Sequence, residues 1–150
     1  MYQLKYMSFP DILTPPDKPW ANLNVNAVNL PSFAYNMGLT GAIGATAACQ
    51  IVINGGIVSM HIPTTGATAG ATGNITAVNA MPQQFWPSIN QTVIAPVLIG
   101  ANESLGSISI ATNGILTFFY SNGSTTFSTT TFPNGVFVGP YATTISWNIN

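Results

Sequence analysis

Two Asn-Gly steps, each flanked by alternating apolar segments, constrain this chain more than any other feature. Asn-Gly supplies the two positive-φ positions of a two-residue type I′ turn, so each step marks a β-hairpin whose register follows from the turn. In residues 50–62 (QIVINGGIVSMHI) a turn at Asn54-Gly55 pairs Ile53 with Gly56, Ile51 with Val58 and Cys49 with Met60. Those side chains share one face, and Gln50, Val52, Ile57, Ser59 and His61 take the other. In residues 107–120 (SISIATNGILTFFY) a turn at Asn113-Gly114 pairs Ile110 with Thr117, Ile108 with Phe119, Ser109 with Phe118 and Ser107 with Tyr120. One face then carries Ile108, Ile110 and Phe119, and the other carries Leu116, Phe118 and Tyr120. Only one face can line a core, so this register predicts that Leu116, Phe118 and Tyr120 form a subunit interface.

The rest of the chain reads as strand and turn. Residues 142–149 alternate Thr143, Ile145, Trp147 and Ile149 against Thr144, Ser146 and Asn148. Residues 93–99 are apolar at both parities, which predicts a central strand covered on both sides. Residues 20–28 also alternate, with Asn22, Asn24 and Asn26 against Ala21, Leu23, Val25 and Ala27. The small, glycine-punctuated stretch 38–48 reads as a linker or neck, and residues 66–73 (GATAGATG) as a flexible loop. Residues 1–20 hold four of the eleven prolines and read as an extended attachment segment. The expected organisation is a proline-containing arm over 1–40 and an all-β antiparallel sandwich over 41–150, with no amphipathic helix.

Charge narrows the function. Lys5, Asp11, Asp17, Lys18 and Glu103 are the only formally charged side chains, so Glu103 stands alone after Lys18. Two lysines cannot neutralise a run of phosphates, which argues against nucleic acid as a partner. Solubility rests instead on 15 Asn, 18 Thr and 11 Ser, neutral groups that respond little to salt or pH. With 47% hydrophobic residues and a net charge of −1 the composition is not that of a disordered chain. No apolar run is long enough to span a membrane, and the N-terminus lacks the basic-then-apolar pattern of a signal peptide. Cys49 is the single cysteine and reads as a small buried hydrophobe.

Catalytic chemistry finds little material. His61 and Glu103 are the only acid–base pair beyond residue 20, and a site needs several convergent groups. No nucleophile elbow, phosphate loop or dinucleotide fingerprint occurs, and a zinc site lacks ligands. No cofactor, metal or catalytic residue is therefore expected. A glycan-cleaving enzyme would need paired carboxylates, and Glu103 has no partner. Sequons at Asn74, Asn90, Asn102 and Asn122 are about what this composition gives by chance. Phe85-Trp86-Pro87 reads as a buried aromatic cluster before a strand. Asn102, Glu103, Tyr120 and Asn122, in or near turns, are the candidate receptor-binding residues, because neutral hydrogen-bonding side chains there can read sugar hydroxyls.

The order of features resembles a known family. A strand-Asn-Gly-strand hairpin (51–62), a Gly/Thr-rich loop, NAMPQQFWP (79–87), a long strand (92–99), GSISIATNGILTFF (106–119) and a terminal TTISWNI are similar to the C-terminal head domain of phage and other viral tail-fibre or receptor-binding proteins. The likeness covers residues 48–150. It departs where the family's proline turn often carries an arginine and this chain has Phe85-Trp86. The resemblance implies a jelly roll like those of tumour necrosis factor and complement C1q, a homotrimer, and a place on the virion surface. The function expected is attachment to a host-surface glycan or protein, with other virion proteins held through the N-terminal arm. The alternative, of another class, is a structural subunit of a capsid or an extracellular filament that assembles by exchanging its arm as a strand.

Overall fold

Alternation of apolar and neutral polar residues converts most of the described chain into antiparallel strands. The computed structural model describes residues 32–100, 102–121 and 129–149; the strand expected at 20–28, the rest of the arm to residue 31 and Asn122 lie outside them. The strands are β1 (Ser32–Gly41), β2 (Ala45–Asn54), β3 (Ile57–Ile62), β4 (Ala67–Thr68), β5 (Ile75–Ala77), β6 (Gln91–Ile99), β7 (Asn102–Ile110), β8 (Leu116–Ser121), β9 (Thr129–Thr130), β10 (Phe137–Pro140) and β11 (Thr143–Asn148). They form one sheet in the order β11-β3-β2-β1-β5-β8-β7-β6-β10-β4, with β9 added to β8. The sheet curls until β11 lies against β6, where Gln91 Nε2 donates to the Asn148 carbonyl at 2.8 Å. Its inner face encloses one core that includes Met37, Ile51, Met60, Ile75, Phe85, Ile108, Leu116, Phe118 and Phe132. The expected all-β antiparallel class is what the chain adopts.

Both hairpins form, and both shift register from the Asn-Gly expectation. In the first, Gly55 (φ 57) and Gly56 (φ 85) are the two turn residues, and Asn54 pairs with Ile57. The pairing is displaced by two residues, so Ile51 meets Met60 instead of Val58. A two-residue shift keeps every side chain on its face. Cys49, Ile51, Val58 and Met60 are accordingly buried, as expected, and Gln50, Ile57 and His61 face out.

The second hairpin shifts by one, and the consequence is opposite. Gly114 N–H donates to the Ala111 carbonyl at 2.8 Å, Ala111 N–H donates to Ile115 at 2.9 Å, and Gly114 has φ 76. This is a type I turn closed by a left-handed glycine, one residue longer than a type I′ loop. Ile110 therefore pairs with Leu116 and Ile108 with Phe118. A one-residue slip exchanges the faces of a strand. Leu116 and Phe118 join Ile108 and Ile110 inside the protomer, all four with no exposed surface. The assignment of Leu116 and Phe118 to a subunit interface is corrected on this ground: their apolar area is already covered within one chain. Tyr120 is half-buried against the same core, its ring centroid 6.4 Å from that of Phe132.

Three further expectations change. Residues 38–48 are not a neck: Met37 pairs with Ala47 and Leu39 with Ala45 in the β1–β2 ladder. β1 (Ser32–Gly41) therefore belongs to the sheet, although it lies on the arm side of the boundary expected at residue 40. The loop 66–73 is tied down, with Gly70 N–H donating to Ala42 at 3.0 Å and Gly73 exchanging two bonds with Phe132. Finally, β6 is covered on both sides only toward its end: β10 pairs with residues 97–99, and Ile94 is 69% exposed. Pro96 sits where β6 has β7 alone as its ladder neighbour. An imino nitrogen with no hydrogen to donate is tolerated at such a half-open edge.

Phe118→Ala should lower the unfolding free energy by about 3–5 kcal/mol, the cost of a cavity at a fully buried aromatic. Ile94→Ser should change it by less than about 0.5 kcal/mol. Urea titrations followed by tryptophan fluorescence measure both; a smaller loss for Phe118→Ala than for Ile94→Ser would contradict the register described above.

Candidate functional site

The outer face of β6, β7 and β8 carries the residues that the corrected register turns away from the core. Across it Ile94 pairs with Ser107 and Ser107 with Phe119, while Pro96 pairs with Leu105 and Leu98 with Glu103. Ile94 and Leu105 are 69% and 50% exposed. Between β6 and β7 lies a shallow groove of about 440 Å³, lined by Ile94, Ala95, Pro96, Glu103, Ser104 and Leu105. Its volume falls within the range of small-ligand sites. Glu103 is the single formally charged side chain in the described part of the chain, so its carboxylate is the groove's only fixed charge.

Two buried hydroxyls lie on the same face. Ser107 Oγ, between Ile94 and Phe119, and Ser121 Oγ, two residues along from Phe119, have no hydrogen-bond partner among the described residues. Left unpaired, each such group costs on the order of 1–3 kcal/mol.

Of the candidate receptor residues, the fold brings only Glu103 into the groove. Asn102 is exposed at the head of β7 with its side-chain amide turned back to the Gly100 carbonyl at 3.3 Å. Tyr120 pairs with Gly106 and lies on the core side of the sheet, so it does not join Glu103. His61 and Glu103 form no dyad: even across the seam where the sheet curls round, β11 and β6 stand between β3 and β7, and both side chains point away from the shared core. Among the described residues no three His, Cys, Asp or Glu side chains gather as a metal site.

Ile94 and Pro96 were missed as surface residues because residues 93–99 look like a two-sided central strand, and Leu105 because its face of β7 was not assigned. The signal that could have exposed them is Pro96, which argues for an open ladder at that point. The Phe85-Trp86 cluster is structural, as expected. Phe85 ends the 3-10 turn Gln83–Phe85 and is wholly buried, accepting at its carbonyl from Trp147 Nε1 at 2.8 Å. Trp86 Nε1 donates to Met81 at 2.7 Å and covers Gly114.

Cys49 lies deep in the β1–β2 ladder beside Tyr35, whose hydroxyl donates to the Asn79 carbonyl. Burial pushes the Cys49 thiol up to about 11. Burial, and secondarily the neighbouring Cys49, push the Tyr35 hydroxyl up to about 12. A thiol held neutral in this way is a packing group and not a nucleophile at neutral pH.

No family model matches the sequence, and no curated protein matches it either. Among solved structures, the chain is similar to the head domain of phage bIL170, presented with the question of a common fold for the receptor binding domains of lactococcal phages. The match has 18% sequence identity and a TM-score of 0.46, and covers 81% of this chain and 100% of that one. No residue role is carried over from it.

Because both acids hold their protons to higher pH when folded than when unfolded, their contribution to stability is complete below about pH 9 and lost as the pH climbs through 11 and 12. The melting temperature should therefore fall between pH 9 and 12, and less steeply in Cys49→Ala. Native Cys49 should also resist thiol reagents at pH 7.5 until denaturant is added; full labelling of the folded chain would contradict the burial.

Proposed function

We propose that this chain is the head of a virion fibre or receptor-binding protein, and that the β6–β7 groove contacts a host-surface glycan. The observation that carries the reading is the pairing of exposed Ile94 and Leu105 with the lone carboxylate of Glu103 on a rigid two-strand platform. Exposed apolar side chains gathered in a concavity mark an interaction surface. Such a groove suits a sugar: C–H faces rest on Ile94, Pro96 and Leu105, and Glu103 accepts from hydroxyl or amine groups. No Lys or Arg stands among the described residues to give an anionic glycan a fixed counter-charge, so the glycan proposed is neutral or amine-bearing.

The role named for the phage bIL170 head domain is the one proposed for this chain, together with the virion-surface location and the homotrimeric jelly roll implied by the sequence resemblance. In that assembly Leu116 and Phe118 remain interior to each protomer, and subunit contacts come from other surfaces. The arm preceding Ser32 joins the head to other virion proteins. The alternative of a structural subunit is favoured by one observation: β11 has β3 as its single ladder partner among the described residues, and β6 meets it at the Gln91–Asn148 bond without backbone pairing, so an exchanged arm could add along the rest of that edge.

The test is binding of the full chain to an array of immobilised polysaccharides and, separately, host surface proteins. The reading expects saturable binding to neutral or amino-sugar polymers that changes less than about twofold over a roughly tenfold range of salt. The double variant Ile94→Ser/Leu105→Ser should lose at least about tenfold in affinity, equivalent to about 1.4 kcal/mol, without a change in melting temperature. Binding confined to proteins, strong salt dependence, or an unaffected double variant would overturn the groove assignment.

A further inference from the structure

We infer that Asn54 is a site of spontaneous, enzyme-free deamidation and that the fold protects the equivalent steps at Asn113 and Asn134. The chain contains four Asn-Gly steps, at 54–55, 113–114, 122–123 and 134–135, of which the third lies outside the described residues. In this chemistry the peptide nitrogen of the glycine attacks the asparagine side-chain carbonyl carbon. A C–N bond forms, the amide C–N bond breaks, and ammonia leaves with the displaced proton. Water then opens the cyclic imide to aspartate or isoaspartate. The net change is one water consumed and one ammonia released, with no oxidant or reductant.

The nucleophile is the glycine nitrogen, so whatever holds its N–H controls the reaction. Gly114 N–H donates to Ala111 at 2.8 Å, Gly114 carbonyl accepts from Met81 at 3.0 Å, and the Trp86 indole closes over the glycine. The Asn113 side-chain oxygen is itself engaged, accepting from Ile115 N–H at 3.2 Å. Gly135 N–H donates to Ala69 at 2.9 Å, and Ala69 N–H returns a bond to Val136 at 2.8 Å. At the tip of β2–β3 the situation differs. Gly55 N–H meets no backbone acceptor among the described residues, and Asn54 is exposed with no side-chain hydrogen bond among them; Asn134 and Gly135 are equally open, so the bond from Gly135 N–H to Ala69 is what separates those two steps. Attack at Gly114 or Gly135 requires the local structure to open first; attack at Gly55 requires only motion of the hairpin tip.

On this chain the product matters more than on most. Conversion of Asn54 changes the formal net charge from −1 to −2 and places a carboxylate opposite Ile57, which is 49% exposed. The isoaspartate form also inserts a methylene into the backbone at the turn that sets the β2–β3 register.

The experiment is incubation of the folded full chain at 37 °C and pH 8, with peptide mapping by mass spectrometry at intervals and native amide hydrogen exchange in parallel. Asn54 should convert at least about tenfold faster than Asn113 and Asn134, and Gly55 N–H should exchange faster than the N–H groups of Gly114 and Gly135. In denaturant the three rates should converge, since only the fold distinguishes them. Equal rates in the folded chain, or an Asn54 amide that persists while the denatured chain converts, would overturn the assignment.

Discussion

The five residues from Ala111 to Ile115 decide which side of the sheet every later β8 residue occupies, and the surface of the molecule depends on that decision. A type I′ turn at Asn113-Gly114 would send Phe119 and Thr117 inward. The longer turn sends Leu116 and Phe118 inward instead. Burying Leu in place of Thr is worth about 1.5–3 kcal/mol in apolar transfer, and an unpartnered threonine hydroxyl inside would cost on the order of 1–3 kcal/mol more. Those terms exceed the difference between two acceptable turn types on the same Asn-Gly dipeptide. The turn is then fixed from outside: Met81 N–H bonds to the Gly114 carbonyl, and Trp86, held by its own bond to Met81, fills the space a side chain at 114 would need.

This explains which parts of the fold could be read from residues alone. Among the described residues, strand identity survived where alternation was strict, as in β3 and β11, because parity alone separates inside from outside. The first hairpin kept its faces despite a wrong turn, because a choice between Asn54-Gly55 and Gly55-Gly56 moves the register by an even number. The second lost them because the competing turn differs by one residue. The candidate site followed the same logic. Glu103 was legible as a lone charge near a turn, whereas Ile94 and Leu105 could be recognised as exposed only once the faces of β6 and β7 were assigned. Tyr120 fell out of the site for the same reason that Phe118 fell out of the interface.

Near-neutrality ties the interior to the surface. With no formal charge other than Glu103 from Ser32 onward, the outer faces are soluble through Asn, Thr, Ser and Gln, whose hydrogen bonds with water are neither screened by salt nor titrated near pH 7. A surface of that kind cannot steer a charged partner over long range, and it offers little to nonspecific polyanions or polycations. Recognition must then be carried at short range by shape, apolar contact and directed hydrogen bonds.

That limitation bears on how an attachment protein built this way could hold its target. A shallow groove with a single carboxylate, closing on one or two sugar units, belongs to the millimolar-to-micromolar class, about −4 to −8 kcal/mol, because association entropy offsets much of the contact energy. Tightening one site would require burying Glu103 against a matched cation or deepening the groove, and both conflict with a β6 edge whose partner strand stops at Val97. Repeating the site is the route that leaves the fold intact: linked copies raise avidity by about 10²–10⁴ without any new contact. On the proposed reading, multiplicity of heads is therefore a physical consequence of a charge-poor sandwich that reads sugars on an open sheet face, and it holds whichever surfaces bring the copies together.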